Sequence, residues 1–177
     1  MEEAARLGII VTGTDGAGDS TPELVWGLII GVTRHIAWEN ERVREGTWQT
    51  RLGSGLAGST LGVLGMGRIG TKTAVTAQQA FGMKVIAWGP TLTVERAAHC
   101  GVTYVSWDDL FSKSDILTIH VPLTDLSRGW VTKRELGLIL PHRDHIEDLI
   151  SIPRLAVWER KVMCQEPAGC AQKAQSA

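Results

Sequence analysis

Residues 60–70, Thr-Leu-Gly-Val-Leu-Gly-Met-Gly-Arg-Ile-Gly, contain the pattern that decides the fold. The short apolar run 60–64 predicts a buried strand, and it is followed by Gly65, Gly67 and Gly70. In a turn of this spacing the first glycine permits the tight bend, the second lets the backbone approach a pyrophosphate, and the third lets the next helix pack on the strand. The free N–H groups at the start of that helix attract an anion. The pattern therefore predicts a dinucleotide-binding turn.

Downstream of this turn, helical and strand patterns alternate. Such a rhythm implies right-handed crossovers and a parallel sheet with helices on both faces. We therefore expect an α/β fold, a Rossmann-type doubly wound parallel sheet that is incomplete and ends in an irregular C-terminal tail. The strand, helix and second strand around the glycines favour dinucleotide binding over a merely structural turn. The predicted elements are helices over Ile69–Phe81 and Val94–Cys100, strands over Met83–Trp88, Val102–Val105 and Ile116–His120, a helix capped by Ser106, and a helix opened by the capping box Thr132–Glu135.

Upstream of the turn, the chain predicts a strand, a helix and a connecting arm. The apolar run Leu7–Thr12 predicts a short buried strand. Ser20–Glu23 combines a capping hydroxyl, a proline and a glutamate, which is typical of a helix start. Apolar residues then recur at helical spacing over Leu24–Val32, so one face of this helix is expected to be buried. Residues 46–59 are polar and glycine-rich and predict the arm.

Composition excludes several classes of partner. A chain of 177 residues with 44% hydrophobic residues is sufficient for one domain with a real core. The formal net charge of −1, with no long run of one sign, argues against nucleic acid and membrane surfaces as partners, and Arg42–Arg44 predicts only a solvated helix face. The longest apolar stretch is too short to span a bilayer. Three cysteines without framework spacing favour a reducing, cytoplasmic location.

The residues that would contact the ribose leave the choice of cofactor open. An NAD site usually has an acidic residue about twenty positions after the first glycine. That place falls on Ala87–Pro90, which contains no carboxylate, and Glu95 lies further on in the next helix. NAD and NADP therefore both remain possible cofactors. Trp88 either stacks beside the adenine or packs in the core.

Several longer segments carry a family resemblance. Residues 61–70, 81–88, 108–111 and 114–124 resemble the NAD-binding domain of the D-isomer-specific 2-hydroxyacid dehydrogenases, the family that includes phosphoglycerate dehydrogenase. Thr21–Leu24 resembles the start of the long helix that joins the two domains of that family. The resemblance extends from about residue 7 to about residue 140. It implies a division into residues 1–20, a remnant of the substrate domain, residues 21–140, the dinucleotide-binding domain, and residues 141–177, a divergent tail.

The resemblance also implies which residues contact a nicotinamide dinucleotide. A homodimer formed through the helix from Thr21 and the arm is implied as well. His120 belongs to a strand-end motif, and packing explains it as well as a cofactor contact does. The implied cofactor-binding residues are Gly65, Gly67, Arg68, Ile69 and Gly70 around the pyrophosphate, Trp88 and Gly89 near the adenosine ribose, and His120, Val121 and Pro122 beneath the adenosine half.

The family's catalytic residues find no match. Its reaction, hydride transfer between the nicotinamide and a small 2-hydroxy or 2-keto acid, uses an arginine, a histidine and a glutamate. Residues 141–154 lack the expected arginine motif, Ser127–Gly129 imitates its end too early, and residues 155–177 contain no histidine. We therefore expect no catalytic residue and an incomplete active site. The alternative function is a non-enzymatic nucleotide-binding or dimerisation module.

The tail offers two further sets of polar residues. His142, Arg143, His145 and Glu147 are the right residue types for acid–base catalysis, but a solvated turn explains them more simply. His142 and His145 with Cys164 and Cys170 fit none of the usual zinc-site spacings, so no metal site is expected.

Overall fold

The computed structural model describes residues 3, 6–10 and 20–139. Its centre is a four-stranded sheet in the order β3-β2-β1-β4, and all neighbouring strands are parallel. The predicted α/β fold with a parallel sheet is confirmed. The strands are β1 (Thr60–Leu64), β2 (Lys84–Trp88), β3 (Thr103–Tyr104) and β4 (Ile116–Ile119).

Six helices in the described ranges connect and cover these strands. Two of them begin where the capping residues predict: the Ser106 hydroxyl accepts a hydrogen bond from the Asp109 N–H at 3.2 Å, and the Thr132 N–H donates to Glu135 Oε2 at 2.9 Å. The helices are α1 (Ser20–Thr33), α2 (Ile36–Arg44), α3 (Arg68–Phe81), α4 (Val94–His99), α5 (Trp107–Ser112) and α6 (Lys133–Ile139). The predicted bounds of the helices and strands from residue 69 onward differ from these by one or two residues, as the fraying of element ends allows.

The sheet separates two apolar cores, which confirms the doubly wound arrangement. On one face α3 packs on β1 and β2, α4 packs on β3 and α1 packs on α3. Ile29, Ala74 and Ala97 are buried in this core. On the other face α5 and α6 bury Phe111 and Ile139 with apolar residues of β1 and β4. The sheet is thus covered on both faces, as is typical of parallel sheets.

The strand predicted over Leu7–Thr12 is wrong in its described part. Leu7 and Gly8 form a turn, Ile9 and Ile10 have no regular structure, and residues 11–12 lie outside the described residues. Ile10 is 87% exposed. An apolar run becomes a strand only beside a partner strand and against a core, and this segment has neither within the described ranges.

The helix that begins at Ser20 ends at Thr33 and does not continue into α2. Arg34 and His35 form a turn between α1 and α2, and His35 has a φ of 53°, in the left-handed region. The solvated face predicted at Arg42–Arg44 lies on α2. It is exposed at Val43 and Arg44, whereas Arg42 is half-buried.

No helix in the described part of the chain is long and apolar enough to cross a membrane. The residues assigned to the tail, 141–177, lie outside the described ranges, as do His142, His145, Cys164 and Cys170.

Candidate cofactor-binding site

The glycine turn lies between the ends of two neighbouring strands. The Gly65 N–H donates to the Trp88 carbonyl at 2.8 Å, and the His120 N–H donates to the Leu64 carbonyl at 2.7 Å. The carboxyl ends of β1, β2 and β4 are therefore held side by side. The chain leaves β1 for β2 on one side and reaches β4 on the other, so this edge is the switch point at which ligands of open α/β sheets bind. All ten cofactor-binding residues expected from the resemblance lie at this edge.

Two of the three glycines are required by close packing. Gly65 has a φ of 98°, and a Cβ there would lie 2.9 Å from Val121 Cγ1. A Cβ on Gly70 would lie 2.1 Å from the Gly65 carbonyl oxygen, a backbone atom that cannot move aside alone. These contacts fix the turn against the residues after β4 and fix α3 against the turn.

Gly67 differs from both, because a Cβ on it would meet nothing within 4 Å. It is the N-cap of α3, it makes no side-chain capping bond, and no acidic residue stands in the first turn of the helix. The first intrahelical bond joins the Thr71 N–H to the Gly67 carbonyl at 2.9 Å, so the earlier N–H groups have no acceptor within the helix. Arg68 is exposed at this end and Ile69 is half-buried. Open space, free donors and positive charge fit a pyrophosphate.

Trp88 packs within a tryptophan cluster formed with Trp107 and Trp130. Its ring centroid lies 4.7 Å from that of Trp107 and 5.8 Å from that of Trp130, both in edge-on arrangements. Trp107 also contacts Phe111 at 5.0 Å. The structure thus gives Trp88 the contacts of a packing residue at the border of the site.

A buried carboxylate supports this cluster from α6. Glu135 is 5% exposed and accepts from the Thr132 N–H at 2.9 Å and the Trp107 Nε1 at 3.3 Å. Arg134 joins Glu135 at 2.9 Å and Asp108 at 2.7 Å. Burial alone raises the pKa of Glu135, but hydrogen bonds from Thr132, Arg134 and Trp107 outweigh it and lower the pKa to about 2. These bonds join α5 to α6, and Asp108 and Glu135 raise the pKa of Arg134.

Gly89 follows β2 without backbone strain. It is buried, and a Cβ on it would make only ordinary contacts, 3.6 Å from Gly65 Cα and 3.6 Å from Leu92 Cβ. Beyond it, Arg96 Nη1 donates to the Thr91 carbonyl at 2.5 Å. The guanidinium therefore lies over the turn that follows β2. Sequence reasoning missed Arg96, whose only signal was a cation at the start of the helix after β2.

The residues after β4 are tied down by their own loop. The Nε2 of half-buried His120 is hydrogen bonded to Thr118 Oγ1 at 2.9 Å. Ser127, 4% exposed, donates to the Pro122 carbonyl at 2.6 Å and accepts from the Thr124 N–H at 2.8 Å. Ser127 therefore holds Pro122 in place. This contact is not predicted from the sequence, although the spacing of Thr124 and Ser127, Thr-x-x-Ser, is a signal for it.

Among the described residues, no group of three or more His, Cys, Asp and Glu side chains is placed to hold a metal ion.

Comparison with known proteins agrees with this geometry. The family model described as "D-isomer specific 2-hydroxyacid dehydrogenase, NAD binding domain" matches residues 26–146. A glyoxylate reductase of Thermococcus litoralis is 38% identical over 152 residues, which cover 80% of this chain and 46% of that protein. A D-3-phosphoglycerate dehydrogenase of Bacillus subtilis is 37% identical over 140 residues, covering 77% of this chain and 26% of that protein.

Solved structures give the same relationship. The crystal structure of a putative D-3-phosphoglycerate dehydrogenase from Ralstonia solanacearum superposes with a TM-score of 0.73 at 32% identity, covering 79% of this chain and 44% of that one. The apo-structure of D-lactate dehydrogenase from Escherichia coli superposes with a TM-score of 0.69 at 27% identity, covering 78% of this chain and 44% of that one. The chain spans less than half the length of each of these relatives.

Proposed function

Since the chain belongs to the D-isomer specific 2-hydroxyacid dehydrogenase family and carries its NAD-binding domain, we propose that residues 21–140 hold the nicotinamide dinucleotide at the carboxyl edge of the sheet. The observation that carries this proposal is the uncapped start of α3 behind Gly67, where an added Cβ would meet nothing within 4 Å. The positive end of the helix and its free N–H groups would neutralise the pyrophosphate. The proposed contacts are Gly65, Gly67, Arg68, Ile69 and Gly70 for the pyrophosphate, Trp88 and Gly89 for the adenosine ribose, and His120, Val121 and Pro122 for the floor.

We further propose that the whole protein transfers a hydride between the nicotinamide and the 2-carbon of a small 2-hydroxy or 2-keto acid. The support is that the relatives include glyoxylate and hydroxypyruvate reductases. The bound cofactor would supply the hydride, and the residues of this chain would orient it. Because the arginine, histidine and glutamate motifs are unmatched, turnover by this chain is proposed to be weak. The proposed location is cytoplasmic.

Binding of NADH to the purified chain tests the cofactor site. Tryptophan emission should be quenched saturably, with energy transfer to the reduced nicotinamide. Gly67→Val has room in the folded chain, but its side chain would fill the space proposed for the pyrophosphate, so NADH affinity should fall more than about tenfold. Gly137→Val is the matched control, because Gly137 also faces open space but lies on α6. Unchanged NADH binding by Gly67→Val, or binding of neither NADH nor NADPH by a folded wild-type chain, contradicts the proposal.

The arm favours a second candidate, a dimerisation module without turnover. Trp48 is 79% and Leu52 is 84% exposed, yet the backbone between them is anchored, since Glu39 on α2 accepts from the Thr50 N–H at 3.0 Å and the Arg51 N–H at 2.8 Å. An ordered backbone that presents apolar side chains to solvent is typical of a protein–protein contact. We propose that the arm joins two copies of this chain in a homodimer.

Sedimentation velocity tests the dimer. The wild-type chain should be dimeric, and the double variant Trp48→Ser, Leu52→Ser should shift to monomer while NADH binding persists. Leu126→Ser, at a residue that is 86% exposed outside the arm, is the control and should stay dimeric. A monomeric wild-type chain contradicts the dimer. Measurable reduction of pyruvate, glyoxylate or hydroxypyruvate would instead contradict the incomplete active site.

A further inference from the structure

We propose that the adenosine end of this site accepts a 2′-phosphate through Arg96, so that NADPH binds at least as tightly as NADH. The inference rests on the proposed cofactor site and names the residues that choose between the two dinucleotides. Two features of the described chain support it: no carboxylate stands directly after β2, and the Arg96 guanidinium lies over the turn that follows.

The end of β2 presents no negative charge to the ribose. In NAD-selective sites a carboxylate there binds the ribose 2′-hydroxyl, and the same charge repels a 2′-phosphate. This chain has Gly89 after Trp88 and Pro90 next. The backbone is not the reason, because a Cβ on Gly89 would be in ordinary contact with its neighbours. The carboxylate that would repel NADPH is therefore absent at this position because residue 89 is glycine.

The turn after β2 carries a cation instead. The bond from Arg96 Nη1 to the Thr91 carbonyl, at 2.5 Å, folds the guanidinium back over this turn. It uses one of the N–H donors of the guanidinium, the Arg96 side chain is exposed, and the remaining donors suit the oxygens of a phosphate. The neighbouring Glu95 is bonded at the start of α4, where its own backbone N–H and then the Thr93 hydroxyl lower its pKa.

The test is a pair of titrations of the full chain, with NADH and with NADPH, followed by tryptophan quenching at low and high salt. The wild-type chain should bind NADPH with a Kd no higher than that for NADH. Added salt should raise the Kd for NADPH more than the Kd for NADH. Arg96→Gln should raise the Kd for NADPH about tenfold and leave that for NADH unchanged. Gly89→Asp should weaken NADPH by a similar factor and preserve or tighten NADH.

Two controls separate specificity from folding. Arg44→Gln makes the same charge change on α2 and should leave both Kd values unchanged. Gly89→Ala adds a Cβ without charge and should retain the wild-type ratio, and thermal melting verifies that each variant is folded. A Kd for NADPH above that for NADH, or an equal rise of both Kd values in Arg96→Gln, overturns this inference while the cofactor site stands. Binding of neither ligand by folded wild-type chain overturns both.

Discussion

The turn after β1 and the arm over residues 46–59 both lack regular structure, but they are held by different parts of the chain. The turn is held by backbone: Gly65 is hydrogen bonded to β2, the residue after β4 is hydrogen bonded to β1, and glycines fill the close contacts. The middle of the arm is held by a side chain of α2, since Glu39 accepts hydrogen bonds from Thr50 and Arg51. Further along, the Ser54 and Gly58 N–H groups donate to the Thr33 and Gly82 carbonyls. Beside the turn, open space remains at Gly67, where a ligand could bind. On the arm, the side chains of Trp48 and Leu52 remain exposed, where a partner could bind.

Two carboxylates make the comparison sharper, because each holds a threonine by its N–H and its hydroxyl. Glu135 binds Thr132 in this way beside the tryptophan cluster, and Glu39 binds Thr50 on the arm. Glu135 is buried, and Glu39 is half-buried among exposed neighbours. The same pattern of bonds should therefore matter for global stability at the first place and only for local order at the second.

The largest effect is expected from Gly70→Ala, which breaks the backbone-held turn. The new Cβ would lie 2.1 Å from the Gly65 carbonyl oxygen, so α3 must move away from the sheet. Urea unfolding should show a loss of about 3 kcal/mol, with weaker NADH binding. The control Gly137→Ala has open space on α6 and should gain about 0.5 kcal/mol from helix propensity. Equal stability of the two variants would contradict the close contact.

A smaller effect, dependent on pH, is expected from Glu135→Gln. Folding lowers the pKa of Glu135 from 4.5 to about 2, so its ionised form adds stability above pH 4.5 that is lost as the pH falls through about 2. The wild-type chain should exceed the variant in free energy of unfolding by about 1.5 kcal/mol at neutral pH, because the amide of Gln still accepts part of these hydrogen bonds, and the difference should shrink on acidification. Parallel pH curves from urea unfolding would show that the carboxylate contributes no such charge-dependent stability.

The smallest effect on global stability is expected from Glu39→Gln. Hydrogen bonds to Thr50 and Arg51 lower the pKa of Glu39 against the effect of burial, and a neutral amide accepts them less well. Amide exchange at Thr50 and Arg51 should accelerate while the unfolding midpoint changes little. Asp108→Asn is a useful contrast, since it weakens an exposed ion pair with Arg134 away from the arm. A large loss of global stability in Glu39→Gln would show that Glu39, like Glu135, stabilises the whole fold, which contradicts the prediction.

Much of the fold was predictable because its signals are local. The glycine spacing at 65–70, the caps at Ser106 and Thr132 and the apolar periodicity of α1 all depend on neighbours within a few residues. The strand predicted over Leu7–Thr12 failed for the opposite reason, since a strand depends on a partner that the local pattern does not contain. The cofactor-binding residues expected from the motifs meet at one edge, but the position of Arg96 over the turn after β2 and the bond from Ser127 to Pro122 were not predicted.

The sequence by itself determined that the chain alternates strands and helices, that a glycine turn of the dinucleotide-binding pattern follows β1, and which family it resembles. These depend on backbone conformation and spacing within single elements. Only the tertiary structure decided that β1 lies between β2 and β4, that Gly67 faces open space while Gly70 does not, and that Trp88 packs on Trp107 and Trp130. The physical reason is that the free space, the burial and the charge at a site depend on residues far apart in the chain. These residues come together only when the helices pack on both faces of the sheet.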